Sequence, residues 1–157
     1  MQIVTHPHPV LRVKTKPVGF VGENERRLLR RMLKHMRQWK GIGLAAPQVG
    51  LSKQLIVAEV DDQTLLWANP LILESDRAGK IMEEGCLSLP STVMDISRPS
   101  SIWVRAINEK NKKIELKVEG LLARVIQHEV DHLNGVLIID HKAECYKKGD
   151  DGYGSEG

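Results

Sequence analysis

Residues Gln127-His128-Glu129-Val130-Asp131-His132-Leu133-Asn134-Gly135 set a His-Glu-x-x-His core inside an apolar-periodic stretch, and this pattern needs a helix with a cation on one flank. On an α-helix, positions four apart sit one turn above each other on the same face, so His128 and His132 can aim their imidazoles at one metal ion. Glu129, one residue after the first histidine, lies near the open side of such an ion, where it can take a proton from water. Leu121, Leu122, Val125, Ile126, Val130 and Leu133 recur at helical spacing, Gly120 offers a start and Gly135 a left-handed cap. An arbitrary histidine pair is usually no ligand at all. Here the acid between the two histidines, in an otherwise apolar helix, needs a partner or a task.

The chain has 157 residues, which suits one domain, expected over residues 1–146, with a core that needs no disulfide staples. A net charge of +3 is mild, and no basic run is dense enough to read as a nucleic-acid surface. Arg26, Arg27, Arg30 and Arg31 fall on a helix whose opposite face is Leu28, Leu29, Met32, Leu33 and Met36, so they read as a solvated face. The first fifteen residues hold two His-Pro pairs and no continuous apolar run, and no stretch is long and apolar enough to span a bilayer. Cytoplasm is therefore the expected compartment, with neither membrane nor nucleic acid as partner. There the thiols of Cys86 and Cys145 stay reduced, which frees Cys86 for a metal.

A Pro-punctuated opening (Pro7, Pro9, Pro17) leads to a predicted helix from Glu23 to Trp39, ended by Gly41. Strand patterns follow at Leu55 to Val60, Leu65 to Leu73, Lys80 to Glu83, Ser101 to Ile107 and Ile114 to Val118, with a hairpin turn over Asn108 to Lys112. The second helix, Leu121 to Asn134, comes directly after. Strands gathered between two helices predict an α+β fold, with mostly antiparallel sheet packed around the metal-binding helix. The stretch Ser91 to Ser97 fits no pattern. Residues 147–157 are polar and Gly-rich, and the expectation there is a disordered tail.

A catalytic metal site needs a third protein ligand. The longer pattern His-Glu-x-x-His-x-x-Gly-x-x-His holds through Gly135 and fails at Ile138, which has no donor atom. Downstream acids are few: Asp140, Glu144 and the acids of the tail. Upstream, Glu84-Gly85-Cys86-Leu87-Ser88 puts a cysteine after a glycine at the end of a predicted strand, where backbone can approach a ligand closely. A lone cysteine in such a run is usually a small buried hydrophobe, but beside a helix lacking its third ligand Cys86 becomes the candidate. A third cluster, Gly41-Ile42-Gly43-Leu44-Ala45-Ala46-Pro47-Gln48, lacks the preceding strand and third glycine of a dinucleotide fingerprint. It reads either as a tight helix-to-strand connection or as a place where Gln48 offers an amide N–H to an oxyanion while the backbone of Ile42 and Gly43 pairs with an extended peptide.

Together and in this order, Gly-Ile-Gly-Leu-Ala-Ala-Pro-Gln, Glu-Gly-Cys-Leu-Ser and Gln-His-Glu-Val-Asp-His-Leu-Asn-Gly resemble the three motifs of the peptide deformylases. Pro7 to Arg12, Asn69-Pro70 and Arg98-Pro99 extend the likeness over about residues 3 to 140. The resemblance implies a hydrolase that removes the N-terminal formyl group from formyl-methionyl nascent polypeptides and releases formate. It implies one divalent metal held by Cys86, His128 and His132, ferrous iron first, with zinc, nickel or cobalt as substitutes. Metal-activated water would attack the formyl carbon, with Glu129 as general base and then acid, while Gln48 and the Leu87 backbone N–H receive the charge on the formyl oxygen. Ile42, Gly43 and Gly85 would border the peptide, and Met82, Leu121, Val125 and the His128 ring edge would line the methionine pocket. Arg98 and Asp131 would pair beside the ligands and orient them. Many members continue into a long C-terminal helix where this sequence has a short polar tail, so ribosome docking through that helix is not expected. The rivals are a metallopeptidase that cuts internal amides and a catalytically silent protein that holds N-termini.

Overall fold

The computed structural model describes residues 1–141, so Cys145 and the predicted tail lie outside the described residues. Helix α1 (Glu23–Gln38) is followed by strands β1 (Gly43–Ala45), β2 (Leu55–Val60), β3 (Gln63–Ser75), β4 (Gly79–Cys86), β5 (Leu89–Pro99), β6 (Ser101–Asn108) and β7 (Lys113–Glu119), then helix α2 (Gly120–Leu133). Five strands form one antiparallel sheet in the order β1-β2-β3-β6-β7, while among the described residues β4 and β5 pair only with each other. The fold is α+β, as the order of elements predicts. No helix among the described residues is long and apolar enough to cross a membrane.

The unbroken apolar run of β2 follows from burial on both faces. Ile56, Ala58 and Val60 meet α2 together with Trp67, Ile102 and Val104, whereas Leu55 and Val57 meet Leu29, Met32 and Met36 of α1. The arginine-rich face of α1 is indeed its outer one: Arg26 and Arg27 lie near Glu23, and Arg30 near Glu109. A third apolar cluster, with Leu11, Leu89, Met94, Ile96, Leu137 and Ile138, seats the β4–β5 hairpin against the N-terminal segment and the turn after α2.

Several local readings change. The left-handed residue after α1 is Lys40, at φ 59°, and Gly41 follows it and closes the end by donating its N–H to the Met36 carbonyl at 2.9 Å. β1 escapes sequence patterning because it is three residues long, below the window in which alternation registers. β5 escapes because neither of its faces is uniformly apolar. Met94 and Ile96 enter the core, while Arg98, at the next position on the same side, enters a buried ion cluster. Gly135 ends α2 as predicted, at φ 75°, with Val136 N–H bonded back to the Asp131 carbonyl at 2.9 Å. A Cβ at Gly135 would also lie 2.7 Å from the Arg12 carbonyl oxygen, so both backbone angle and space require glycine there.

Candidate active site

Two elements deliver the three donor atoms. α2 presents His128 and His132 from successive turns, and β4 ends on Cys86, where the two-residue turn Leu87-Ser88 sends the chain back as β5. The His132 Nε2 atom lies 3.4 Å from Cys86 Sγ and 3.2 Å from His128 Nε2, and the three donor atoms fall within 4.8 Å of one another. Bond lengths of about 2.0–2.1 Å to nitrogen and about 2.3 Å to sulfur give tetrahedral edges of about 3.3 Å between nitrogens and about 3.6 Å between nitrogen and sulfur. The observed separations match those edges, so this trio fits a divalent cation with one position left open.

Glu129 stands beside the trio and is buried, its Oε1 without a hydrogen-bond partner. Burial raises its pKa to about 7, with the nearby imidazole of His128 opposing and Glu84 adding to the rise. An acid with this pKa can both take and return a proton near neutrality. Burial opposes a charge on His128, but hydrogen bonds to Cys86 and Glu84 and the charge of Glu129 outweigh it and raise its pKa to about 10. His132 goes the other way: burial first, then the neighbouring His128 and Arg98 charges, hold it well below the ordinary imidazole value. Their surroundings thus push the two imidazoles in opposite directions.

Gln48 is oriented by its own loop. Its Oε1 accepts the Ala45 N–H at 3.0 Å, which leaves Nε2 to face Cys86 Sγ at 3.6 Å and Ser88 Oγ at 3.3 Å. The N-terminal segment braces both pieces, with Val4 N–H on the Gln48 carbonyl and His6 N–H on that of Ser88. β1 is an edge of the large sheet, and Gly43 shows why its sequence is small. A Cβ there would lie 2.5 Å from Glu129 Oε2 and 2.7 Å from Val125 Cγ1. The Ile42 carbonyl already accepts the Glu59 N–H at 2.9 Å, so strand alternation turns the Gly43 peptide groups toward the open edge instead.

These residues border a cavity of about 560 Å³, running between the edge of β1 and strand β4 to α2. Eleven of the twelve residues given catalytic, substrate-binding or metal-ligating roles from sequence line it: Ile42, Gly43, Gln48, Met82, Gly85, Cys86, Leu87, Leu121, Val125, His128 and Glu129. The twelfth, His132, is buried behind them. Arg98 does reach Asp131, at 3.0 Å, the pairing expected of polar neighbours beside the ligands. Sequence reasoning missed the second carboxylate on Arg98. Glu84 accepts Arg98 Nε at 2.6 Å, Arg124 Nη1 at 2.6 Å and His128 Nδ1 at 2.9 Å, and this buried carboxyl is held well below the usual range because those bonds outweigh burial. The missed signal was spacing: Glu84 stands two before Cys86 on one strand face, and Arg124 four before His128 on one helix face.

An α+β fold closed around a His-Glu-x-x-His helix with a cysteine opposite defines a metal-dependent hydrolase. The family model described as polypeptide deformylase matches residues 1–148, and the chain belongs to that family. It is 46% identical over 132 residues to a peptide deformylase of Thermotoga maritima, covering 84% of this chain and 80% of that one. The crystal structure of peptide deformylase from that organism superposes with a TM-score of 0.87 at 44% identity, covering 89% of this chain and 95% of the other. A peptide deformylase from Synechococcus elongatus, crystallised in complex with actinonin, gives a TM-score of 0.87 at 41% identity over 90% of this chain and 78% of that one.

Proposed function

We propose that this chain hydrolyses the N-terminal formyl amide of formyl-methionyl nascent peptides, releasing formate and a free amine. The observation that carries the reading is the trio of Cys86, His128 and His132 at metal-ligand spacing, with the unpartnered carboxylate oxygen of Glu129 beside it. Cys86 Sγ and the Nε2 atoms of His128 and His132 would hold a divalent cation, which would supply Lewis acidity and acidify water there.

The remaining chemistry falls to the chain. Glu129 takes a proton from the attacking water and later gives it to the departing amine, so one carboxylate serves as base and then acid. Gln48 Nε2 and the Leu87 N–H donate to the formyl oxygen as negative charge builds on it. The Gly43 edge of β1 and the Gly85 end of β4 hold the peptide extended, with Ile42 beside them. Met82, Leu121, Val125 and the His128 ring receive the methionine side chain, and the predominantly apolar character of these residues supports that role. One thiolate and two imidazoles suit ferrous iron, and zinc, nickel or cobalt satisfy the same donors. The substrate places the reaction where nascent chains emerge, in the cytoplasm, with formylated N-termini as partners.

The test is formate release from a formyl-Met tripeptide by protein purified anaerobically with ferrous iron, beside unformylated and internally cleavable peptides. Formate appears only from the formylated substrate, and actinonin, the ligand of the Synechococcus elongatus structure, suppresses it. Absence of formate overturns the reading, and internal cleavage replaces it with a peptidase.

A further inference from the structure

The two histidines differ on the side away from the trio. His132 Nδ1 is buried without a partner, whereas His128 Nδ1 lies 2.9 Å from Glu84 Oε1. Glu84 is itself gripped from two directions. Arg98, from β5, closes on both carboxylate oxygens, with Nε at 2.6 Å from Oε2 and Nη2 at 2.9 Å from Oε1. Arg124, one helical turn before His128, reaches Oε2 at 2.6 Å and also bonds the Ile96 carbonyl at 3.0 Å and that of Lys80. All three side chains are buried, and Asp131 on Arg98 leaves two positive and two negative groups. With the geometry this closed, the carboxylate cannot turn away, and a neutral His128 facing it must carry its proton on Nδ1 and direct the Nε2 lone pair at the trio.

We propose that Glu84 is the positioning residue that fixes the tautomer and ring plane of His128 for metal binding, and that Arg124 acts on the metal only through Glu84. The inference rests on His128 being a ligand. β4 then has two jobs two residues apart: Cys86 offers its sulfur to the trio, while Glu84 anchors the imidazole that faces it. Anchors of this kind are worth about ten- to a hundredfold in metal affinity.

Zinc affinity is read by chelator competition in Glu84→Gln, Arg124→Met and the double variant, with melting of the metal-free proteins recorded alongside. The glutamine keeps the volume but loses the charge that two arginines and an imidazole share. Glu84→Gln should weaken zinc binding about ten- to a hundredfold, Arg124→Met by less, and the double variant no further than Glu84→Gln alone. Nitrogen-15 histidine spectra of the zinc-loaded wild type should show His128 protonated at Nδ1, a state that Glu84→Gln populates less. A purely structural cluster would lower the melting temperature and leave zinc affinity and tautomer untouched, which would overturn the proposal. If Glu84→Gln does not fold, unchanged zinc affinity in Arg124→Met overturns it, and weakened affinity with the His128 tautomer disturbed upholds it. Failure of wild type itself to bind zinc would instead remove His128 from the ligands.

Discussion

Along α2, Leu122, Ala123, Ile126 and Leu133 bury hydrocarbon against the five-stranded sheet, while Arg124, His128 and His132 bury polar and charged groups toward the β4–β5 hairpin, with the buried carboxylate of Glu129 beside them against Gly43. Both flanks are withdrawn from water, yet they are held by different physics. The apolar flank gains roughly in proportion to area and tolerates changes of shape. On the polar flank each buried charge is costly unless its partners are all present, so the flank is either complete or a liability. The hairpin that closes the cavity is therefore tied to the helix by directed bonds, while the sheet is tied to it by packing. The fold leans on one flank and the chemistry on the other.

The sharpest way to break this comparison is at Glu129, the one residue of the polar flank that leaves an oxygen unpartnered. Glu129→Ala should lower formate release by about 10²–10⁴-fold while metal content stays at the wild-type level. A variant that kept its turnover would strip the proton-transfer role from the polar flank. Melting should not fall in step with activity, because the substitution deletes a buried group that no protein donor satisfies.

Next in size is the metal-free stability of the two flanks. Glu84→Ala leaves Arg98 and Arg124 buried without their shared carboxylate and should cost about 3–5 kcal/mol. Ile126→Val, at a fully buried position facing the sheet, should cost about 0.5–1.5 kcal/mol. Urea titration of the two variants decides the matter. Equal losses would mean that the ion cluster is no more brittle than the hydrocarbon core.

Gly43 lies where the flanks meet, since a Cβ there would press on Glu129 Oε2 from one side and Val125 Cγ1 from the other. Gly43→Ala should cost about 1–3 kcal/mol as overpacking and should lower kcat by moving the Glu129 carboxylate. A stable variant with normal kcat would show that β1 has room to retreat from the helix.

The apolar flank was legible from sequence because helical periodicity is a statistical signal carried by many residues, and His128, Glu129 and His132 were legible because their chemistry is rare at that spacing. Most strands were found within one or two residues for the same reason, with β2 placed as Leu55–Val60. Gly43, by contrast, looked like any small residue in a connection, since nothing local reveals that a helix 80 residues later comes within contact of it. Glu84 and Arg124 escaped because charged residues read as solvated until the chain brings them together. Arg98 and Asp131 were paired only by the general expectation that polar neighbours orient metal ligands. Contacts made by distant segments are what a periodicity argument leaves out.

The smallest expected effect sharpens the comparison from outside the core. Glu59 also meets an arginine, Arg37, whose Nη2 lies 2.6 Å away, but the pair is on the surface with Arg37 more than half exposed. Its hydrogen bonds to Arg37, and then to Thr64, lower the Glu59 pKa to about 2. A depressed carboxylate pKa stabilises the fold fully above the unfolded value of 4.5, and the gain disappears as pH falls from there toward about 2. Melting curves of wild type and Glu59→Gln should thus differ slightly at pH 7, converge near pH 2, and converge at pH 7 in high salt. The buried Glu84 cluster should keep its contribution in the same salt, because solvent ions do not reach it. A salt-resistant Glu59 would mean that exposure, rather than the number of partners, is the wrong variable for separating the two carboxylates.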